Sequence, residues 1–226
     1  MEASKSIFIL RLFGFNINIT ENIIVQWIII LIFIALSIIL TRNLRLIPSR
    51  KQSILEIFVE YTGKIVKENM GEAYTNFIPF VGTMILFLAC MNLVGLVGVV
   101  PPTSDLSINL GMAMITFLVV QGYAIKKVGL INYITAYGKP YFFIFPLNII
   151  ERFMLPISLS LRLFGNMTAA IIIVDLIYKA LYSINPFAQL LIPIPIHIYF
   201  DIFDGIIQMI IFVMLTMINI KIISEH

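Results

Sequence analysis

Charge is what this sequence has least of. Asp, Glu, Lys and Arg together make up 12% of its 226 residues, against about 25% in an ordinary soluble domain. Apolar residues make up 60% and the mean hydropathy is +1.02. Several runs reach the ~20 residues that cross a ~30 Å hydrocarbon core. This balance excludes a soluble globular fold and reads as a polytopic integral membrane protein. Cys90 is the only cysteine and falls mid-helix, so a disulfide framework and a thiolate metal site are both excluded. Two histidines, His197 and the final His226, have too few companions for a metal centre. No phosphate-cradling Gly-rich Lys motif, no G-x-S-x-G and no H-E-x-x-H occurs, so no catalytic constellation is present.

The net charge of +3 does not point to nucleic acid, because the basic residues cluster in loops between apolar runs. That clustering is how membrane topology is written. Residues 1–21 read as an external segment of mature sequence: Lys5 and Arg11 are present, but no small-residue cleavage site follows a short apolar core. Residues 22–41 form the first span, with Trp27 as an interfacial anchor. Arg42, Arg45, Arg50 and Lys51 follow it and place that end in the cytoplasm and the N-terminus outside. Residues 51–69 set Ile54, Phe58, Tyr61 and Ile65 against Glu56, Glu60, Lys64 and Lys67, the pattern of an amphipathic helix on the cytoplasmic interface.

Residues 77–100 form a second span, which "PPTSD" ends, with Thr103 or Ser104 as an N-cap for a third over 105–125. Residues 129–140 read as a loop. Two longer apolar segments, 146–182 and 195–223, follow. At 1.5 Å per residue they run to roughly 50 and 40 Å, which exceeds the hydrocarbon thickness and calls for tilt or kinking. The expected fold is therefore all-α: about five transmembrane helices plus one interfacial helix, the last two forming a long, strongly tilted hairpin. The C-terminus falls in the cytoplasm, because eleven of the fifteen Lys and Arg then lie on that side. No internal repeat is seen.

Against this background Arg162 is anomalous. It lies about 16 residues from Pro146 and 20 from Tyr182, with no acidic residue within ten positions. A mid-membrane arginine costs ~2.5–3.5 kcal/mol on insertion scales. Its pKa lies above about 12, so it is a fixed positive charge and not a proton carrier. A structural arginine paired with a carboxylate on another helix is one reading; an electrostatic gate on an ion pathway is the other, and intramembrane charges favour it. Ser158, Arg162 and Asn166 share one helix face at i, i+4 and i+8. Gly165 and Ala169 form a small-xxx-small ridge beside them, which lets another helix approach closely. For Gly165, packing within this chain is the alternative.

In the last segment His197, Asp201, Asp204 and Gln208 follow at i, i+4, i+7 and i+11, a single stripe that Thr216 and Asn219 extend less regularly. Carboxylates and a histidine entering from the outer end read as a wet half-channel. The alternatives are an interfacial role for His197 and a structural one for the aspartates. Asp105 and Asn109 open the third span on the same side; Asp105 is either part of that pathway or a partner of the helix dipole. Asp175, roughly opposite Arg162 around its helix, is expected to face other helices of the chain and to contribute to the outer polar cavity.

Three stretches carry a resemblance. "PISLSLRLFGNMTAA", "PPTSDLSINLGMAM" and "FDIFDGIIQMIIFVMLTMINI" together resemble subunit a of F-type ATP synthases over nearly all the chain beyond the first span. The resemblance implies a non-catalytic stator against which a ring of c subunits turns, passing H⁺ or Na⁺ through two half-channels to the rotor carboxylates. No cofactor is implied beyond the transported ion. Arg162 matches the family's essential arginine between the half-channels, Asn166 its polar neighbour, Gln208 the facing glutamine of the last helix, and Asp105 the acid of the "PTSD" motif. Asp201 falls where the family carries a histidine or an acid. The implied partners are the c-ring, the b subunits of the peripheral stalk, the remaining F1Fo subunits and the lipid bilayer. "RLFGN" looks bacterial, so the expected location is a bacterial plasma membrane.

One departure stands out: Ile171 occupies a position where many relatives have Glu or His. Asp204 is the first candidate to supply the missing carboxylate, and Asp175 the second. Two rival classes carry less. A free-standing secondary transporter lacks its internal repeat, and a structural anchor leaves Arg162 and the aspartates without a role.

Overall fold

The computed structural model describes residues 6–12, 15–42, 44–130, 133, 135, 145–184 and 192–225. Lys5, most of the loop expected over 129–140, most of the connection between the two long segments and His226 lie outside the described residues.

The body is helical, and five helices are long and apolar enough to cross a membrane: Glu21–Thr41, Glu72–Val97, Leu106–Val128, Phe145–Ser183 and Pro193–Ile223. The N-terminal segment contains two strands, β1 (Ser6–Leu12) and β2 (Phe15–Thr20), paired antiparallel with Leu12 opposite Phe15 and Arg11 opposite Asn16. The strict alternation Phe-Asn-Ile-Asn-Ile-Thr of β2 explains the pairing, because period two is the strand signature. Helix α1 (Glu21–Thr41) follows directly and is nearly uniformly apolar; only Asn22 and Ile29 are buried, and Trp27, Leu31 and Ile38 are exposed.

Helix α2 (Arg50–Met70) is the amphipathic element. Gln52 ties it to the basic loop before it, accepting from the Arg45 N–H at 3.0 Å and donating to the Arg45 carbonyl at 2.8 Å. Val66 and Met70 point inward, while Ile54, Ile57 and Tyr61 stay exposed. A 3₁₀ turn, Glu72–Phe77, leads into α3 (Ile78–Leu93), which ends in a second 3₁₀ turn, Val94–Val97. Gly98, at φ 79° in the left-handed region, then turns the chain.

Pro102–Ser104 form one more 3₁₀ turn before α4 (Leu106–Val128). The N-cap of α4 is Asp105, not Thr103 or Ser104: its Oδ1 accepts from the Ser107 N–H at 2.9 Å. The turn completes at Asp105 before helical geometry begins, which leaves this carboxylate in the capping position. Helix α5 (Phe145–Ile184) spans 40 residues with Pro156 inside it. The last segment is continuous but not uniform: α6 (Pro193–His197), a π-helical stretch Ile198–Asp204 and α7 (Gly205–Glu225).

The main core is built from residues of α2, α3, α4, α5 and α7, and α1 adds none to it. Val66, Val81, Leu88, Val120, Leu163 and Met217 are among its fully buried members. Helix α7 packs between α3 and α4, whereas α5 lies mainly along α4 and the 102–104 turn and touches α7 only slightly. Thus α5 keeps much of its circumference uncovered.

Candidate functional site

Helix α5 carries a strip of polar and small residues on its uncovered side, among exposed apolar ones such as Ile157 and Leu161, while its covered side is mainly apolar, with Ser160 buried there too. Leu159, Leu163, Met167 and Ala170 are buried. Ser158, Arg162, Gly165, Asn166 and Ala169 are all exposed. Among the described residues, Arg162 has no hydrogen-bond or ion-pair partner. A Cβ placed on Gly165 would meet nothing within 4 Å, so its lack of a side chain serves no packing within the described chain. A membrane helix normally buries its polar groups, so an uncovered strip with an arginine in it stands out. The uncovered Arg162 face can hold a permanent positive charge against a closely approaching anionic surface.

A second polar group gathers where α3, the 102–104 turn and the π stretch meet. His197 Nδ1 lies 2.8 Å from Asp201 Oδ2, and the other ring nitrogen, Nε2, lies 3.3 Å from the Tyr178 hydroxyl on α5. Asp201 is thereby held across from Gly95: a Cβ on that glycine would sit 3.3 Å from Asp201 Oδ1 and 3.3 Å from Pro101 Cγ. One turn on, the Asn92 amide donates to the Gly205 carbonyl at 2.8 Å, and a Cβ on Gly205 would stand 3.2 Å from Asn92 Cβ. The two glycines let the last segment approach α3 closely enough for these contacts.

Side-chain oxygens with nothing donating to them mark the same region. Asn92 Oδ1, Thr103 Oγ1, Asn109 Oδ1 and Gln208 Oε1 are all buried without a hydrogen-bond partner. Asn109 spends its amide on the Thr103 carbonyl at 2.6 Å, and Gln208 donates weakly to Asp204 Oδ1 at 3.5 Å. Buried acceptors seldom stay unsatisfied, so the region is suited to water or to a cation that takes oxygen ligands. The π stretch carries both aspartates; π insertions recur at functional positions because they re-aim side chains within a helix.

The sequence-derived residues divide accordingly. His197, Asp201, Asp204, Gln208 and Asn109 fall in or beside the oxygen-lined region. Asp105 is occupied in capping α4. Thr216 and Asn219 bond back to their own helix, to the Phe212 carbonyl at 2.8 Å and the Leu215 carbonyl at 2.7 Å. Asp175 does not face other helices. It is exposed and pairs with Lys179 at 2.6 Å, because the buried stripe of α5 lies about 95° around from Arg162, not opposite it, and Asp175 about 220° around. Ile171 is also exposed. Asn92 and Tyr178 escaped the sequence reading, and Thr103 entered it only as a possible helix cap. A lone asparagine in the apolar run of α3 was the available signal for the first.

Residues 23–221 match the ATP synthase A chain family. The chain is 31% identical to the sodium ion specific ATP synthase subunit a of Propionigenium modestum over 225 residues, covering 92% of this chain and 75% of that one. It is 36% identical to ATP synthase subunit a of Moorella thermoacetica over 201 residues, covering 88% of each, and 34% identical to ATP synthase subunit a 1 of Crocosphaera subtropica over 207 residues, covering 90% of this chain and 86% of that one. A match that runs from the first span to the last helix, at these identities and coverages, decides membership: the chain belongs to the ATP synthase A chain family and is a non-catalytic, multi-pass membrane subunit of a bacterial ATP synthase.

Proposed function

We propose that the chain is the ion-translocating stator of the rotary membrane sector, with Arg162 as the gate between two half-channels. The observation that carries this reading is the exposed polar face of α5, where Ser158, Arg162, Gly165, Asn166 and Ala169 stand uncovered on a helix long and apolar enough to cross a membrane. The ring of c subunits, with its carboxylates, is the partner such a face suits. Charge attraction draws each carboxylate to Arg162, and desolvation offsets much of that attraction, so the pair forms and parts as the ring turns. Because a guanidinium does not lose its proton, Arg162 displaces the ion from an arriving carboxylate and repels any cation moving directly between the half-channels.

The oxygen-lined region at Asn92, Thr103, Asn109, Asp201 and Gln208 is the outer half-channel in this reading. His197, Asp201 and Tyr178 form its entrance, and Asp204 supplies the carboxylate that Ile171 does not. The N-terminus lies outside and the C-terminus in the cytoplasm, as the basic loops dictate, and the b subunits of the peripheral stalk hold the chain still.

Purification of the tagged chain from its own membranes tests the assembly. Recovery of a ring of small hairpin proteins with ATPase activity supports the stator; a lone chain that moves a solute in vesicles contradicts it. The relative from Propionigenium modestum is described as sodium ion specific, and activity of the purified complex with and without sodium at fixed pH decides between Na⁺ and H⁺ here.

A further inference from the structure

We propose that a cavity between α4 and α5, whose Arg152 stands ten residues before Arg162 on the same helix, binds one anionic glycerophospholipid. The cavity is about 320 Å³, lined by Phe117 and Gln121 of α4, Tyr133, and Phe145, Ile149, Arg152 and Phe153 of α5. That volume lies at the small end of ordinary ligand sites.

Gln121, Tyr133 and Arg152 form its polar pole. Gln121 is more than nine-tenths buried. Its Oε1 accepts a short hydrogen bond from the Tyr133 hydroxyl and a longer one, 3.4 Å, from Arg152 Nη1. Its Nε2 is buried with no partner. Arg152 is held beside it, 3.4 Å from the Tyr133 hydroxyl and 5.3 Å from the centre of the Tyr133 ring. An unsatisfied amide donor next to a guanidinium calls for an acidic or carbonyl oxygen acceptor, and burying such a donor unpaired is costly.

The remaining wall is aromatic and aliphatic, and one of its members, Phe153, is well exposed at the surface of α5. Lys126 and Lys127 close α4 five and six residues beyond Gln121, roughly 8–9 Å along the helix. That is the headgroup level of the leaflet they border, where basic residues attract anionic lipid. A headgroup phosphate or ester oxygen at Gln121 and Arg152, with an acyl chain along Phe117, Phe145 and Phe153, satisfies both halves of the cavity.

The test measures lipid retention by the purified, delipidated complex using native mass spectrometry, with phosphatidylglycerol, phosphatidylcholine and inorganic phosphate as probes. The inference predicts one retained phosphatidylglycerol, phosphatidylcholine at least about tenfold weaker, and no displacement by millimolar phosphate. Gln121→Glu preserves shape and the bond from Tyr133 but places a carboxylate against Arg152, so it should abolish the preference for the anionic lipid while ATPase activity persists. Arg152→Gln should do the same and serves if the first variant fails to assemble. Equal retention of phosphatidylglycerol by wild type and variants overturns the site. Equal binding of both lipids reduces it to an apolar groove, and displacement by phosphate makes it a free-anion site; either result contradicts the proposal.

Discussion

His197 Nδ1 and Asp201 Oδ2 stand 2.8 Å apart across one turn of the last segment, and Asp201 is only 13% exposed while His197 is 37% exposed. The imidazole is therefore the outer member of the pair and the carboxylate the inner one, an order that suits passage from solvent toward the interior. Asp201→Asn keeps the shape and removes the charge. The expected outcome is a fall of about tenfold or more in ion-driven ATP synthesis by membrane vesicles, the scale of a 1.4 kcal/mol change, with Tyr178→Phe milder. Unchanged synthesis in Asp201→Asn would remove this pair from the pathway.

Gly205 and Asn92 hold the last segment close against α3, with the Asn92 amide donating to the Gly205 carbonyl at 2.8 Å. Gly205→Ala places its new Cβ 3.2 Å from Asn92 Cβ, and overpacking of this kind costs about 1–3 kcal/mol. Thermal unfolding of the purified complex should therefore begin at lower temperature. A Cβ on Gly165 meets nothing, so Gly165→Ala should leave the unfolding of the isolated chain unchanged while impairing coupled turnover of the complex.

Asp105 has a structural role that is separable from any role in ion passage. Asp105→Ala removes the cap of α4 and should cost about 1 kcal/mol, whereas Asp105→Ser, another capping residue, should restore most of that stability. If Asp105 also serves the pathway, Asp105→Ser will be stable yet slow in ion-driven synthesis. Full activity of the serine variant would confine Asp105 to capping.

Asp204 is proposed as the substitute for the carboxylate missing at Ile171. Asp204→Asn retains the shape and a partner for Gln208, so a purely structural residue would tolerate it. The expected result is a marked loss of ion-driven synthesis with assembly intact. Wild-type rates in this variant would end the substitution hypothesis.

Periodicity and composition made much of this legible. The five spans follow from long apolar runs, and the Arg162 face follows from the i, i+4, i+8 spacing of Ser158, Arg162 and Asn166. The π stretch was not legible, because its extra residue per turn is a backbone choice that leaves no mark in the pattern of residues. Asp175 was misplaced because a helical wheel gives angles relative to Arg162 but not which side the neighbours cover; α5 leans on α4 and leaves the Asp175 side open. The β1–β2 hairpin was hidden by its shortness, and Asn92 by the apolar run surrounding it.

Arg162→Ala in the assembled complex tests the central claim most directly. Vesicles carrying it should lose ion-driven ATP synthesis altogether while the complex still assembles, and should conduct the ion passively once nothing separates the half-channels. Coupled synthesis that survives the loss of Arg162 would contradict the gate.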